Sequence, residues 1–299
     1  MNICTACPRH CGVYRKEHLT DSEGELGFCG MPQAPVLARA ALHLWEEPCI
    51  SGSRGSGTVF FSGCSLRCCF CQNHKISAGG FGQEISTERL RQIYFELIAQ
   101  GAHNINLVNP THFTKAIAES LSEPLPVPVI YNCGGYESVE SLQALRGKIQ
   151  IYIPDLKYSD SAAALKYSFA EDYYETAKKA IDEMLAQTGK YIIDKDGIMQ
   201  SGVIIRHLIL PENLENTFGV IDYICEHFKP DEILFSLMRQ YTPYANAALH
   251  PEINRILTAE EYKRAEDYLL WSGAVDGFLQ EDESATDGFI PKFDLTGVM

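Results

Sequence analysis

The sequence predicts an α/β protein: a partial (β/α)6 TIM-like barrel preceded by a cysteine-rich N-terminal extension. From residue 57 onward, six strand-like runs alternate with helical patterns. The strand-like runs are apolar on nearly every residue, which is typical of parallel strands that helices cover on both faces. Residues 1–56 differ, because they combine a cysteine-bearing loop region with a glycine- and serine-rich link. We therefore expect an extension at 1–56 and a core domain with a C-terminal tail at 57–299.

The six β/α units follow one another along the chain. Residues of β-type composition predict strands at 57–62, 104–108, 127–131, 149–153, 203–209 and 232–237. Helical periodicity predicts helices at 86–100, 112–121, 137–145, 171–187, 217–228 and 258–271. Ser86 and Ser138 stand where helix N-caps are expected, and Gly101 marks the end of the first helix. In such a barrel, functional side chains lie on loops at the C-terminal ends of the strands.

Composition restricts the class of protein. The chain has 299 residues, 45% of them hydrophobic, so it can bury a large core. Its net charge of −14 argues against a nucleic-acid-binding surface, which needs clustered Lys and Arg. No apolar stretch approaches the roughly 18 residues that span a bilayer, and the N-terminus lacks basic and hydrophobic segments, so we expect a cytoplasmic protein with no membrane partner. Eleven cysteines in such a chain favour ligation of metal or clusters over disulfides.

Three cysteines lie on one short loop directly after the first predicted strand. Cys64, Cys68 and Cys71 are separated by three and two residues. Three thiolates on such a loop can hold three irons of a 4Fe-4S cluster and leave the fourth iron open for a substrate. A zinc knuckle or buried structural thiols are the alternatives, although zinc would need a fourth ligand. We interpret the adjacent Cys69 as a core residue, because neighbouring cysteines on an extended or turning loop point in different directions.

This loop resembles the cluster loop of radical S-adenosylmethionine (SAM) enzymes, with the aromatic Phe70 before the last cysteine. Nearly the whole chain is similar to the uncharacterised branch of that superfamily related to pyruvate formate-lyase activating enzyme. The resemblance is carried by FFSGCSLRCCFCQN, GAHNINLVNPTHF, YNCGGYES, IYIPDLKYSD, IIRHLILP, SLMRQYTP and the terminal GFIPKFDLTGV. It implies a radical SAM core, in which one electron enters the cluster, a carbon–sulfur bond of SAM breaks, and the 5′-deoxyadenosyl radical removes a hydrogen atom. It also implies a low-potential electron donor such as flavodoxin or ferredoxin.

The loop after the second strand departs from the activating-enzyme pattern. Those enzymes carry a Gly-Gly-Glu loop there to hold the amino group of SAM, whereas this chain has Val108-Asn-Pro-Thr-His112. Asn109, Thr111 or His112 would then accept the ammonium hydrogen bonds through a side-chain or backbone oxygen. Alternatively, Asn109 is a turn residue before Pro110 and His112 is a helix-start residue.

Asp155-Leu-Lys157, after the fourth strand, resembles an Asp-Leu-Lys signature of the activating enzymes. The resemblance implies that Lys157 meets the carboxylate of SAM and that Asp155 helps to hold a monovalent cation beside the cofactor. Asn132 and Cys133, after the third strand, fall where the same enzymes place polar groups around that cation. Residues two apart share a face of an extended chain, which supports a joint site. A surface ion pair between Asp155 and Lys157 is the alternative.

Two further residues are candidates for cofactor contacts. Arg206 lies within an apolar strand, where a buried guanidinium needs an anionic partner, either a bound carboxylate or a structural Asp or Glu. Gln240, after the sixth strand, lies where the family uses this loop to contact adenine. Tyr241 shares that position but can equally be a packing aromatic.

A second cysteine group lies in the N-terminal extension. Cys4, Cys7, Cys11 and Cys29 form a quartet with two close pairs. Four thiolates saturate a tetrahedral zinc or one 4Fe-4S cluster, and the spacing does not choose between them. Free thiols in a loop are the alternative. We interpret Cys49 and Cys225 as core thiols.

Three functions fit these features. The first is activation of a glycyl radical enzyme by hydrogen abstraction from a backbone glycine, which needs a protein partner. The second is radical SAM chemistry on another protein or a small molecule, motivated by the missing Gly-Gly-Glu loop and the added cysteine quartet. The third, of a different class, is a non-catalytic metal-binding or redox-sensing protein with zinc at both sites and no bound SAM.

Overall fold

One mixed sheet organises the protein, and the computed structural model describes it within residues 3–273, 276–280 and 291–299. Residues 288–290 of the terminal segment GFIPKFDLTGV, and the rest of 281–290, lie outside the described residues. The strands are β1 Val36–His43, β2 Ser56–Phe61, β3 Gln83–Glu84, β4 Ile105–Val108, β5 Val129–Cys133, β6 Ile151–Pro154, β7 Ile192–Ile193, β8 Met199–Leu208, β9 Leu234–Met238 and β10 Gly277–Leu279.

The helices connect and cover these strands. They are α1 Pro48–Ser51, α2 His74–Ser77, α3 Thr87–Ala99, α4 Thr114–Ser120, α5 Val139–Gln143, α6 Ser161–Ser168, α7 Tyr173–Thr188, α8 Leu214–His227 and α9 Ala259–Trp271. Short 3₁₀ helices occupy Thr111–Phe113, Ala245–Leu249 and Pro251–Ile253. Among the described helices, none is long and apolar enough to cross a membrane.

The predicted parallel sheet is confirmed. Strands β2, β4, β5, β6, β8 and β9 pair in that order, each parallel to the next, and β10 adds in parallel to β9. Every residue of β2, β5, β6 and β9 is buried, as expected for strands packed on both faces. Side chains of β2, β4, β5, β8 and β9 line one common cavity, so the sheet curves around it as a partial barrel.

The predicted helix starts and stop are confirmed, whereas several elements, among them helices α1 and α2 and strands β1, β3, β7 and β10, were not predicted. The hydroxyls of Ser86 and Ser138 accept the capping hydrogen bonds from the backbone of Arg89 and Ser141. Gly101 follows α3 with φ +98°. The helix predicted at 112–121 is split, since a 3₁₀ turn precedes α4. Helix α6 was not predicted.

The N-terminal part enters the sheet through β1. This strand pairs antiparallel with β2, from Leu37 opposite Phe61 to His43 opposite Ser56, and β3 pairs with its start. The proposed extension and core therefore share a continuous sheet. The division at residue 56 stays a prediction.

Gly135 closes the turn between β5 and α5 against the end of β6. It has φ +79°, and a Cβ on it would lie 2.1 Å from the carbonyl oxygen of Asp155. Gly147 has the same φ of +79°, but a Cβ there would meet nothing within 4 Å. The two glycines thus separate the cost of backbone conformation from the cost of a clash.

We expect Gly135→Ala to lower the free energy of unfolding by about 2–5 kcal/mol, since a left-handed alanine costs about 1–2 kcal/mol and overpacking adds about 1–3. Gly147→Ala should cost only the first of these amounts. Chemical or thermal unfolding of both variants measures the difference. Equal losses in the two variants would contradict the close approach of Gly135 to Asp155.

Candidate cofactor site

The three-cysteine loop begins with a left-handed turn, a backbone conformation that favours the glycine found there. Gly63 lies two residues after the end of β2 at Phe61 and has φ +82°, and a Cβ there would lie 2.8 Å from the carbonyl oxygen of Cys29. The loop therefore turns tightly against the N-terminal extension and then exposes its thiols on the other side. Cys64, Cys68 and Cys71 all line one cavity, called here the cofactor cavity.

Hydrogen bonds hold the three sulfur atoms in place. The Ser168 hydroxyl donates to Cys68 Sγ at 3.0 Å, and the Ser77 hydroxyl donates to Cys71 Sγ at 3.3 Å. The backbone N–H of Leu66 donates to Cys64 Sγ at 3.3 Å. Donors of this kind favour a thiolate over a thiol, so each sulfur already has a partner suited to its anionic form.

Cys69 faces away from the other three thiols. It is buried, it does not line the cofactor cavity, and its backbone N–H donates to the carbonyl of Tyr167 at 2.8 Å. This agrees with its interpretation as a core residue.

The thiols need a positive partner to ionise. Burial raises the pKa of the Cys68 thiol to about 12, although Lys157 opposes the shift. Burial also raises the pKa of Cys71, against a hydrogen bond from Ser77. Thiolates in such surroundings form when metal replaces their protons.

The donor set fits a cluster. Within the described residues, no three His, Cys, Asp or Glu side chains surround a position for a single metal ion. The cysteines of a 4Fe-4S cluster each bind a different iron and so need not converge on one ion. The three thiols of this loop share one cavity, as such a cluster requires.

A network of ion pairs lines one wall of the cofactor cavity, the wall to which β5, β6 and β8 contribute. Asp155 lies between two cations, since Lys157 Nζ is 2.5 Å from its Oδ2 and Arg206 Nε is 3.0 Å from its Oδ1. Arg206 Nη2 donates to Asn132 Oδ1 at 2.6 Å, and Nη1 lies 3.3 Å from Glu46 Oε2. The anionic partners of Arg206 are thus structural acids, one of the two alternatives that the sequence left open.

Asp155, at the centre of this network, keeps its negative charge. Burial by itself would raise the pKa of Asp155, but Lys157 and Arg206 overcome it and hold that pKa below its ordinary value. Both carboxylate oxygens of Asp155 and the amide oxygen of Asn132 already face these cationic side chains. The guanidinium of Arg206 therefore occupies the surroundings predicted for a monovalent cation, and the cation stays a prediction.

Asn109 and Gln240 also line the cofactor cavity. Asn109 adopts φ +58°, which asparagine tolerates better than most residues, and its side-chain amide donates to the Gly63 carbonyl. Its Oδ1 is the side-chain atom left to accept a hydrogen bond. Tyr241 lines the cavity too, but its hydroxyl donates to the Ile253 carbonyl at 2.8 Å, so it packs as a wall residue.

Thr111 and His112 are not among the residues that line the cofactor cavity, and their role as cofactor contacts stays a prediction. The 3₁₀ turn that begins at Thr111 directs its hydroxyl to Glu137 Oε1, 2.7 Å away. His112 Nε2 donates to the Ser62 carbonyl at 2.7 Å, and burial lowers the pKa of His112 to about 3, which keeps it neutral. The hydrogen bonds of both side chains stabilise the loop after β4.

Glu46 is a site residue that sequence reasoning missed. It follows β1 in the N-terminal part, yet it pairs with Arg206 and accepts a hydrogen bond from Asn106 at 3.0 Å. The sequence signal for this residue is weak, because it consists of two adjacent acids after an apolar strand. No spacing rule connects these acids to β8.

The N-terminal quartet packs behind the cluster loop. Cys7 and Cys29 are buried, Cys4 and Cys11 are half-buried, and all eleven cysteines of the chain are free thiols. Burial raises the pKa of Cys7 to about 12. A metal bound by the quartet stays a prediction.

The side chain of Arg9 joins the quartet region to the cluster loop. It donates to the backbone carbonyls of Ser65 at 2.6 Å and Ser168 at 2.8 Å. Ser65 follows Cys64, and Ser168 bonds to Cys68, so the two cysteine groups are mechanically connected.

Comparison with known proteins gives one relative by sequence. The uncharacterized protein MJ0674 of Methanocaldococcus jannaschii is 30% identical over 272 residues, which cover 88% of this chain and 72% of that protein. No protein-family model matches the sequence.

Three solved structures share features of the fold. SuiB of Streptococcus suis, bound to the precursor peptide SuiA, gives a TM-score of 0.48 at 11% identity over 74% of this chain and 47% of its own. Methylornithine synthase (PylB) gives 0.45 at 14% identity over 78% and 75%. A domain of pyruvate-formate lyase-activating enzyme from Bacteroides vulgatus gives 0.39 at 13% identity over 57% and 91%. At these TM-scores the likenesses carry no argument about activity.

Glu137, which anchors the β4 loop, predicts a measurable pH dependence. Burial raises its pKa from 4.5 to about 7, although hydrogen bonds from Thr111 and Tyr131 oppose the shift. The native state therefore keeps a proton that the unfolded state releases, so the free energy of unfolding should fall between those two pKa values, by up to about 3 kcal/mol. Glu137→Gln should remove this fall, so its melting temperature relative to wild type should rise between about pH 5 and pH 8.

Glu140→Gln is the matched control, because Glu140 is an exposed carboxyl in the first turn of α5. It should leave the pH dependence as in the wild type. A constant difference between wild type and Glu137→Gln across this range would show that Glu137 is not a buried acid of raised pKa.

Proposed function

The chain belongs to the family of the uncharacterized protein MJ0674 of Methanocaldococcus jannaschii, and from its cofactor cavity we propose that it is a radical SAM enzyme. Cys64, Cys68 and Cys71 would hold a 4Fe-4S cluster with one open iron. When bound, this cluster supplies one electron to SAM, whose carbon–sulfur bond breaks to give a 5′-deoxyadenosyl radical that abstracts a hydrogen atom.

One observation carries the proposal: the three thiols and charged side chains of both signs, Asp155, Lys157 and Arg206, line the same cavity. The amino-acid part of SAM has a carboxylate and an ammonium group, so its site must offer both signs of charge. Lys157 offers the positive charge, and Asn109 Oδ1 and the carboxylate of Asp155 offer acceptors. A structural zinc knuckle has no use for this arrangement.

The residues of the chain would orient SAM and keep water away. Lys157 would share its ammonium between Asp155 and the SAM carboxylate, which is a position suited to a compact charge. Gln240 has hydrogen-bonding groups for adenine, since within the described residues its side chain makes one weak hydrogen bond, to Met238 Sδ at 3.9 Å. Leu66, Phe70 and Leu208 supply apolar wall to the same cavity, which favours the exclusion of water from a radical.

Two substrate classes remain for this chemistry: a backbone glycine of a glycyl radical enzyme, or a group on another protein or a small molecule. The second class is favoured by a further cavity in the barrel lumen, which continues from the cofactor cavity. A low-potential protein such as flavodoxin or ferredoxin would supply the electron in either case.

The N-terminal quartet is part of the same proposal. Cys4, Cys7, Cys11 and Cys29 would bind a second cluster, or zinc if their side chains turned toward one ion, and so fix the loop that carries Arg9. Through the contacts of Arg9 with Ser65 and Ser168, such a metal would stabilise the catalytic loop.

Substitution of the three loop cysteines tests the reaction. Anaerobically reconstituted wild type, given SAM and a strong reductant, should form 5′-deoxyadenosine. Cys64→Ala, Cys68→Ala and Cys71→Ala should each abolish the product, because each removes one iron ligand. Chromatographic assay of 5′-deoxyadenosine measures the effect.

Cys69→Ala is the matched control on the same loop, and it should keep most of the activity. Wild type that binds zinc alone and ignores SAM would support the non-catalytic alternative and refute the proposal. A glycine-centred radical on a partner protein after mixing would identify the first substrate class.

Metal content tests the quartet. One 4Fe-4S cluster gives about four irons per chain and two give about eight. Cys7→Ala and Cys29→Ala should remove one metal site, either four irons or one zinc, while Cys225→Ala should remove none. Elemental analysis of the purified variants decides between zinc and a second cluster, and unchanged metal in both quartet variants would contradict a metal there.

A further inference from the structure

The partial barrel encloses a second cavity, called here the lumen cavity. It occupies about 1460 Å³ including its open mouth, and it continues from the cofactor cavity at Asn132, Arg206 and Gln240, which line both. His43, the last residue of β1, and residues 45–48, which lead into α1, form one side of it. The remaining walls are the inner faces of the parallel strands and β10, with apolar contributions from Phe60 and Phe278.

Two consecutive acids, Glu46 and Glu47, line this cavity, and they differ in the partners that their carboxyl groups have. Glu46 forms an ion pair with Arg206, whose Nη1 lies 3.3 Å from its Oε2, and it also accepts a hydrogen bond from the side-chain amide of Asn106. The Oε2 atom of Glu47 is sealed from solvent and finds no hydrogen-bond donor among the described residues. A sealed carboxylate oxygen without a donor is costly, so the site is built for a group that is not part of the described chain.

Arg206 cannot supply the missing charge. Its guanidinium already serves Asp155, Asn132 and Glu46. Burial raises the pKa of Glu47, which Arg206 only partly opposes, and Ser236 contributes one neutral hydrogen bond. Three carboxyl groups, those of Asp155, Glu46 and Glu47, thus share two cations, Arg206 and Lys157, and burial raises the pKa of Glu46 as well.

A second orphaned acceptor lies beside the first acid. Asn106 is fully buried, its amide N–H donates to Glu46, and its Oδ1 has no donor among the described residues. Asn106 is not among the residues that line the lumen cavity, so Glu47 is the acceptor that a ligand there would meet. A primary ammonium group suits Glu47, because it combines one positive charge with several N–H donors on a single atom. Phe60 and Phe278 give apolar surface for an attached carbon chain.

We propose that the lumen cavity is a substrate site that selects a primary ammonium group, with Glu47 as its counterion. The terminal torsion of a glutamate rotates easily, so its carboxylate can turn the orphaned oxygen toward the cavity. Since the two cavities are continuous, an amine held there presents its carbon chain toward the cofactor cavity. As a substrate assignment this rests on the proposed function, whereas the binding itself does not.

The test compares two probes of the same shape, n-butylammonium and 1-butanol, on the reconstituted protein by saturation-transfer NMR and calorimetric titration. Butylammonium should bind at least about tenfold more tightly, as expected for a buried charge-assisted hydrogen bond. Glu47→Gln should abolish this preference. The control Glu123→Gln should retain it, because Glu123 is 81% exposed and pairs with Arg91 on the outer surface.

Thermal unfolding separates a binding role from a structural one. Glu47→Gln should melt at or above the wild-type temperature, because it replaces a carboxyl group that is costly to ionise where it lies and has one oxygen without a donor among the described residues. A lower melting temperature with an unchanged ammonium preference would make Glu47 structural and overturn the proposal. Equal affinity for the two probes in the wild type would also overturn it.

SAM carries an ammonium group of its own, and competition identifies it. If SAM displaces butylammonium from wild type, Glu47 belongs to the cofactor site and the inference fails. Retention of butylammonium at saturating SAM supports a separate substrate site. Neither measurement needs SAM cleavage, so an intact ammonium preference without 5′-deoxyadenosine would count against the proposed function alone.

Discussion

The guanidinium of Arg206 is the interaction on which the site depends. It stays charged inside the barrel, so the surrounding structure must supply its counterions. Asp155 comes from the end of β6, Asn132 from β5 and Glu46 from the segment after β1, and each meets a different nitrogen of this one side chain. The same contacts that neutralise Arg206 therefore join the first part of the chain to the middle of the sheet.

Lys157 and the cluster loop follow from that arrangement. With one oxygen bound to Arg206, Asp155 uses the other to hold Lys157, and the ammonium of Lys157 opposes the burial effect on the Cys68 thiol. From the opposite side, Arg9 fixes the backbone at Ser65 and Ser168. The loop thus lies between a charged wall and the N-terminal quartet, which explains why thiols can be held open toward a cavity without collapsing into the core.

The sequence could predict the parts of the fold that local patterns determine. The apolar runs of the parallel strands and the caps at Ser86 and Ser138 are short-range signals, and the structure agrees with them. The antiparallel pairing of β1 with β2 is a long-range choice that the run at 36–43 does not encode. Position after β4 suggested that Thr111 and His112 face the cofactor, but the 3₁₀ turn directs them to Glu137 and Ser62.

The candidate site shows the same division. Cys64, Cys68 and Cys71 are recognisable from spacing because one loop must supply all three. Glu46 and Glu47 were missed because their partners on β8 and β9, Arg206 and Ser236, lie more than one hundred residues away, and no periodicity connects them. A charge balance of the barrel interior, which only a three-dimensional structure provides, identifies them.

The most direct test of the central claim is the electron paramagnetic resonance spectrum of the anaerobically reconstituted and reduced protein, recorded with and without SAM. The claim is that the loop thiols hold a cluster whose open iron faces a charged SAM cavity. It predicts a reduced 4Fe-4S signal in wild type whose g-values change when SAM is added. A cluster signal that saturating SAM leaves unchanged, or a fully metal-loaded protein with no cluster signal, would contradict it.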